Sequence, residues 1–193
     1  NKGKLREFSA LFAPLGMRLI PQQELNVSEA PEPFHTFVEN ALGKARHASG
    51  QTGLPALADD SGLSVQALGG APGVLSARYA TLFGEEKSDA ANNRRLLLEL
   101  QDHTDRRAAY IAVLVFVRSE NDPCPVIAQG TWHGEIAMQA AFDDHGDLVG
   151  VGRIVGAAVG HGRGHDVAGA VLVLQAFAAQ RGAAGGGADE KAA

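Results

Sequence analysis

The chain lacks several features that would place it in other protein classes. Its 193 residues contain a single cysteine, Cys124, which excludes an internal disulfide bond and indicates a reducing compartment, so we expect a cytoplasmic protein. No apolar run approaches the roughly 20 residues of a membrane span, and no signal segment opens the chain, so we expect no membrane partner. Basic residues number 17 against 22 acidic ones, and the resulting charge of −5 argues against a nucleic-acid partner, which requires a basic face.

Other residue types are missing only from the C-terminal third. No tyrosine follows Tyr110 and no serine follows Ser119, while glycine, alanine and valine become frequent. A gene read in a shifted frame would give this composition, and so would a diverged or recombined C-terminus. We therefore predict a single domain over residues 1–181, in which residues 137–181 depart from the preceding pattern. We expect residues 182–193 to form a disordered tail.

The residues that are present predict an α/β fold. Apolar residues make up 45% of the chain and charged residues 20%, which is sufficient for a packed interior. Helical spacing of apolar residues predicts helices at 5–15, 36–50, 88–100 and 168–180. Short apolar or alternating runs predict strands at 17–20, 54–58, 63–67, 110–117, 126–136 (interrupted at Gly130) and within 147–160. Because helices and strands alternate along the chain, the pattern favours an α/β architecture.

The first candidate site is the acidic segment Ala-Asp-Asp-Ser-Gly-Leu at residues 58–63. It follows a predicted buried strand, and open α/β sheets bind ligands at such strand ends. The neighbouring carboxylates of Asp59 and Asp60 repel each other unless a divalent cation or a raised pKa relieves the repulsion. Mg²⁺ prefers oxygen ligands and is often held by one or two carboxylates plus substrate phosphates. The sequence Asp-Asp-Ser-Gly within this segment is also typical of a plain Asx turn.

The second candidate is the start of the helix at residues 36–50. Thr36 and Glu39 have the spacing of a capping box, so Glu39 is interpreted as closing the helix start. Asn40 and Lys44 lie four residues apart and therefore share one face of the helix. Lys44 could contact a phosphate there, although most helical lysines are only solvated.

Two glycine-containing segments complete the set. Residues 1–4, Asn-Lys-Gly-Lys, precede a helix, and a glycine turn before a helix can offer backbone N–H groups to phosphate. The chain begins there without a methionine or a preceding strand, and we expect its first few residues to be missing. Residues 69–79 form a glycine–proline loop that ends near Arg78. This loop is a further candidate through Arg78, and the alternative interpretation is an ordinary connection that carries a surface charge.

The order and spacing of these segments resemble the inosine triphosphate pyrophosphatase family, in its bacterial dITP/XTP pyrophosphatase branch. The matching stretches are NKGKLREF, EPFHTFVENALGKARHAS, LPALADDSGLSVQALGGAPGVLSARYA and QGTWHGEI, which together cover most of residues 1–136. The combination of ADDSGL with GGAPGVxSARYA is highly specific for this family.

The resemblance implies an enzyme that hydrolyses aberrant purine nucleoside triphosphates (dITP, ITP and XTP) to monophosphate and pyrophosphate with Mg²⁺, keeping them out of nucleic acids. It also implies a homodimer, and a long mixed sheet with flanking helices in two lobes around a nucleotide cleft. By motif, Asp60 is expected to be the general base and a metal ligand, and Glu32 the second metal ligand. Substrate contacts are expected from Asn1, Lys2, Gly3, Lys4, Lys44 and Ser61.

Two later motifs of the family are absent, Phe-Gly-Tyr-Asp-Pro after residue 136 and Ser-His-Arg near the end. In the family they contribute the base pocket and several phosphate contacts, so we expect this chain to have less binding energy for positioning the substrate. The alternative interpretation is a catalytically impaired remnant that binds nucleotide or dimerises.

Two further interpretations concern the unusual C-terminal segment. Its histidines have a spacing that can bind a transition metal, in a set formed by His145, His161, His165 and Asp166. The glycines of residues 160–164 suggest a dinucleotide site, but the strand–turn–helix context and the ribose-binding acid of such sites are missing. The glycine-rich setting disfavours the metal set, and the missing context and acid disfavour the dinucleotide site.

Overall fold

The computed structural model describes residues 8–10, 12–142, 148–154 and 171–176 of the chain. They form a six-stranded sheet in the order β1-β6-β2-β3-β4-β5 with helices against it. The strands are β1 (Met17–Pro21), β2 (Ala56–Val65), β3 (Arg107–Val117), β4 (Val126–Phe142), β5 (Leu148–Ile154) and β6 (Val171–Ala176). The helices are α1 (Phe37–Thr52) and α2 (Asp89–Glu99), with 3-10 segments at Ala13–Leu15, Gln22–Leu25, Gln66–Leu68 and Gly73–Phe83.

The expected α/β fold with flanking helices is confirmed, but the direction of the strands differs from the expectation. Every strand pair within the described ranges is antiparallel, where a mixed sheet was expected. The path of the connections decides this direction. The chain leaves β2 at Val65 and enters β3 beside it, so that Val65 pairs with Ala108 and β3 runs back along β2. Apolar periodicity carries no information about that return.

Three predictions of local structure are wrong. β2 continues through the acidic segment, where a strand end and a turn were expected, because each of its residues pairs with β3. β4 continues through Gly130, which pairs with Ala112 of β3. Residues 171–176, predicted to be helical, form β6 between β1 and β2. In each case pairing with a distant strand overrides the local signal.

The predicted helix starts at residues 36 and 88 are confirmed. Thr36 accepts a hydrogen bond from the Glu39 backbone N–H (3.3 Å), which is the predicted N-cap, and its hydroxyl donates to the Glu39 carboxylate (2.6 Å). Ser88 accepts from the Ala91 backbone N–H in the same way (3.1 Å). No helix within the described ranges is long and apolar enough to cross a membrane.

The close packing of α1 on the sheet brings side chains of the helix within reach of β2. The helix buries a row of alanines against alanines and valines of β2 and β3, and the cluster comprises Val27, Ala41, Ala45, Ala48, Ala56, Ala58, Val113, Val115 and Val117. Small side chains allow helix and sheet to approach closely. A long polar side chain on this face of α1 therefore reaches β2 directly, and Lys44 does so.

Candidate active site

Three of the predicted site residues meet at one point between α1 and the sheet. The ammonium nitrogen Nζ of Lys44 lies 2.5 Å from Glu32 Oε1 and 2.9 Å from Asp60 Oδ1. The side chains of Lys44 and Asp60 are only 6% and 8% exposed, and that of Glu32 is 26% exposed. Glu32 comes from the stretch before α1, Lys44 from α1 and Asp60 from β2. The structure thus joins a candidate metal-binding pair with a candidate phosphate-binding lysine.

The pleat of β2 separates the two neighbouring aspartates. Side chains alternate along a strand, so Asp60 shares the face of Ala58 against α1, while Asp59 and Ser61 lie on the opposite face. There the Ser61 hydroxyl accepts a hydrogen bond from the Tyr110 hydroxyl (2.9 Å). The expected clash of adjacent carboxylates is therefore wrong, because the acidic segment is a strand and not a turn. The hydroxyl of Ser61 also lies away from the carboxylate cluster.

Asp60 has the electrostatic character of a reactive carboxylate. Burial raises the pKa of Asp60 above its ordinary value, and the charge of Glu32 acts in the same direction, while Lys44 and, to a smaller extent, the Asn40 side chain oppose both. Its second oxygen, Oδ2, is buried and makes no hydrogen bond of good geometry with the described part of the chain. A buried carboxylate with a raised pKa and an available oxygen is typical of a general base or a metal ligand.

Glu32 and Lys44 are held in their charged forms by each other. Burial alone would raise the pKa of Glu32, but hydrogen bonds from Lys44 and Arg78 outweigh it and leave that pKa below its ordinary value. Burial alone would lower the pKa of Lys44, but its bonds to Glu32 and Asp60 outweigh that effect and raise it. The cluster therefore keeps an ammonium ion between two carboxylates.

Sequence reasoning missed the role of Arg78. Its Nη1 donates to Glu32 Oε2 at 2.7 Å, and its side chain is one-third exposed. The alternative interpretation, a surface charge on an ordinary loop, is wrong, because the 3-10 segment Gly73–Phe83 turns back onto β2 and brings Arg78 to the cluster. The family motif around Arg78 was the only signal in the sequence, and motif order does not show which residue Arg78 contacts.

The absence of a side chain at Gly62 allows this close approach. A Cβ atom at Gly62 would lie 2.4 Å from the carbonyl oxygen of Gly73 and 2.5 Å from Ser76 Oγ. Ser76 Oγ also accepts from the Leu63 backbone N–H (2.8 Å) and donates to the Gly73 carbonyl (2.6 Å). These contacts fix the start of the 3-10 segment against the strand that carries Asp60.

Side chains of α1 hold the stretch that carries Glu32 at both ends. Asn40, which is 1% exposed, accepts from the Phe34 backbone N–H (3.2 Å) and donates to its carbonyl (3.3 Å). Gln51 accepts from the Ser28 backbone N–H (3.1 Å) and donates to the Ser28 hydroxyl (2.6 Å). The sequence predicted that Asn40 shares a helix face with Lys44, but it did not predict a function for Asn40. In the structure Asn40 orients the segment that contains Glu32.

The cluster fits a divalent cation that keeps most of its coordination for water and phosphate. Glu32 and Asp60 direct oxygens at one point, and Asp60 has a further buried oxygen to offer. Within the described ranges no group of three or more His, Cys, Asp or Glu could hold a metal ion. Mg²⁺ is commonly bound by one or two carboxylates together with substrate phosphates, so two acidic residues are sufficient.

Several predicted residues lie outside the part of the chain that the structure describes. They are the expected phosphate contacts Asn1, Lys2, Gly3 and Lys4, and the alternative metal set His145, His161, His165 and Asp166.

Comparison with known proteins identifies the class to which this fold and site belong. A sequence profile of the Ham1 family matches residues 1–146, and the chain belongs to this family. Among solved structures, a HAM1 protein from Coxiella burnetii is similar with a TM-score of 0.73 and 44% identity, over 80% of this chain and 78% of that one. A dITP/XTP pyrophosphatase from Mycobacterium abscessus is similar with a TM-score of 0.69 and 36% identity, over 81% of each chain.

Curated relatives narrow the comparison to one kind of enzyme. A dITP/XTP pyrophosphatase from Bordetella pertussis is 68% identical over 146 residues, which are 76% of this chain and 68% of the relative. Another, from Chromobacterium violaceum, is 58% identical over 158 residues, 79% of each chain. The resemblance inferred from the motifs is confirmed, and so is the expected class of enzyme, since these relatives are nucleoside triphosphate pyrophosphatases.

Proposed function

We propose that this chain hydrolyses aberrant purine nucleoside triphosphates (dITP, ITP and XTP) to the monophosphate and pyrophosphate, with Mg²⁺ as cofactor. The observation that carries the proposal is the meeting of Glu32, Lys44 and Asp60, in which Asp60 keeps a buried oxygen available. The names of the curated relatives support the substrate class.

In this proposal Asp60 acts as the general base. A water oxygen attacks the α-phosphorus, its proton passes to the Asp60 carboxylate, and the bond from the α-phosphorus to the bridging oxygen breaks to release pyrophosphate. The raised pKa of Asp60 makes it a better proton acceptor than an ordinary aspartate. Glu32 and Asp60 would hold Mg²⁺, which when bound neutralises phosphate charge.

Lys44 is the proposed phosphate contact of the described site, because its charge is already maintained inside a buried cluster. Asn1, Lys2, Gly3, Lys4 and Ser61 complete the proposed substrate contacts through the family resemblance. The same resemblance supports a homodimer, and the single cysteine supports a cytoplasmic enzyme.

The test is hydrolysis by the purified chain with Mg²⁺, using dITP, ITP and XTP and comparing them with dGTP and ATP. We expect pyrophosphate and nucleoside monophosphate in equal amounts, faster for the deaminated bases, and no products when EDTA removes the metal. Release of orthophosphate, or no release at all, would contradict the proposal. Nucleotide-dependent thermal stabilisation without turnover would instead support the impaired remnant.

A further inference from the structure

The geometry points to Arg78 as a positioning residue: it holds Glu32 in place for a divalent cation when Lys44 moves away. This inference rests on the proposed function, because it assigns Arg78 a part in preparing the same site.

The two oxygens of Glu32 are divided between two cations. Oε1 lies 2.5 Å from Lys44 Nζ, and Oε2 lies 2.7 Å from Arg78 Nη1. Glu32 belongs to a stretch, residues 27–34, that is neither helix nor strand, so its backbone is held by side-chain contacts and not by a sheet or helix ladder. Its carboxylate therefore depends on these two partners for its position.

Lys44 would have to move if a cation bound both carboxylates. Its ammonium nitrogen lies between Glu32 Oε1 and Asp60 Oδ1, which is the place a cation shared by the two carboxylates would take. Two cations at one point repel each other and compete for the same lone pairs. Metal binding at this point would therefore remove one of the two partners of Glu32, and Arg78 on the other oxygen would be the partner that stays.

Arg78 comes from a firmly seated element. The hydrogen bonds of the Ser76 hydroxyl and the close approach at Gly62 fix the start of the 3-10 segment against β2. The segment bends at Arg78 itself, where φ is −140° and ψ is 24°, and the Thr81 hydroxyl donates to the Arg78 carbonyl (2.6 Å). A permanently charged, planar guanidinium on a fixed backbone can orient a carboxylate better than a flexible lysine.

The test measures the dissociation constant for Mn²⁺ alone by calorimetry in the wild-type chain and in Arg78→Ala, Arg78→Lys and Arg94→Ala. Arg94 is the matched control, because it pairs with Glu85 at 2.7 Å on an exposed surface of α2. We expect Arg78→Ala to weaken Mn²⁺ binding about tenfold, as loss of a residue that orients a metal ligand typically does. Arg78→Lys should recover part of the loss, and Arg94→Ala should bind like the wild type.

The direction in which the affinity for Mn²⁺ changes distinguishes a positioning role of Arg78 from an effect of its positive charge alone. If Arg78 acted only through its positive charge, its removal would tighten cation binding, because a repulsion would be lost. Unchanged or tighter Mn²⁺ binding by Arg78→Ala would therefore overturn the inference.

Hydrogen exchange of the metal-free protein gives a second readout that does not depend on activity. We expect faster exchange in residues 27–36 of Arg78→Ala, and no such change in Arg94→Ala. If the wild type neither binds Mn²⁺ nor releases pyrophosphate, the proposed function fails. If the wild type does both, while Arg78→Ala binds Mn²⁺ normally and its residues 27–36 exchange normally, only the inference about Arg78 fails.

Discussion

Asp60 in the site and Asp122 in the turn after β3 are both buried aspartates bonded to a basic side chain, yet their surroundings differ sharply. Asp122 accepts four hydrogen bonds: from the Arg118 backbone N–H (2.9 Å), its Nε (2.8 Å), its Nη2 (2.5 Å) and the Cys124 backbone N–H (2.9 Å). Asp60 accepts one hydrogen bond from Lys44 and has a contact with the Asn40 side chain, but its second oxygen has no partner of good geometry in the described ranges.

This difference moves the two pKa values in opposite directions. Hydrogen bonds from Arg118 hold the pKa of Asp122 well below its usual range. Burial, supported by the charge of Glu32, raises the pKa of Asp60. Burial next to a cation is thus not enough to mark a reactive carboxylate. The number of hydrogen bonds that the carboxylate already accepts separates a residue that closes a turn from one that can take a proton or a metal ion.

We expect the largest effect when the same substitution, aspartate to asparagine, is made at Asp60 and at Asp122. Asp60→Asn keeps an oxygen for Lys44 but removes the proton acceptor, so we expect kcat for dITP to fall by about 10²–10⁴-fold. The melting temperature should stay the same or rise, because a buried charge is removed. Asp122→Asn should retain kcat. Steady-state kinetics and thermal melts measure both effects, and equal losses of kcat in the two variants would refute the distinction.

Replacing Lys44, whose ammonium group lies between Glu32 and Asp60, should show how strongly the stability of the cluster depends on a positive charge at this point. Lys44→Met leaves the two carboxylates facing each other, and we expect the free energy of unfolding to fall by about 3 kcal/mol, the cost typical of breaking a buried ion pair. Mg²⁺ should restore more stability in this variant than in the wild type, because a divalent cation can replace the ammonium.

Urea denaturation with and without Mg²⁺ measures this effect, with Lys87→Met at an exposed position as the control. If Mg²⁺ stabilised Lys44→Met no more than the wild type, the assignment of this point to a cation would be wrong.

A glycine substitution should disturb the surroundings of Asp60 while leaving those of Asp122 intact. Gly62→Ala places a Cβ atom 2.4 Å from the Gly73 carbonyl oxygen, so strand and 3-10 segment must separate. We expect a loss of about 1–3 kcal/mol in the free energy of unfolding, the cost typical of overpacking. Gly130→Ala, whose added Cβ would have no atom within 4 Å, is the matched control. Equal urea midpoints for the two variants would contradict the close packing at Gly62.

The smallest expected effect is on the pH dependence of stability. Because the folded-state pKa of Asp122 is depressed, its contribution is present above the ordinary aspartate pKa of about 4 and is lost as pH falls toward the folded value. Asp122→Asn should therefore be less stable at pH 7 and lose less on acidification. Asp60 has the opposite sign, since its raised pKa favours the protonated form and its ionisation costs stability as pH rises. Thermal melts from pH 7 to pH 3, with exposed Asp102→Asn as control, would show whether the two profiles differ as stated.

Local signals in the sequence predicted local structure where no pairing with a distant strand overrode them. The helix cap at Thr36, the shared face of Asn40 and Lys44, and the strand at residues 110–117 all lie where the pattern placed them. Each of these features depends on neighbours within one or two turns, or on a run of apolar residues, and such information is contained in the sequence itself. The motifs also identified the family and Asp60, Glu32 and Lys44 as candidates.

What the sequence determined by itself was therefore the set of candidate residues, the α/β class and the family. Only the tertiary structure decided that the acidic segment is a strand, that its pleat separates Asp60 from Asp59, and that Arg78 reaches Glu32 across 46 positions of sequence. The reason is physical: these features depend on strand pairing and on the close approach of backbone at Gly62, and neither leaves a periodic trace in the residues involved.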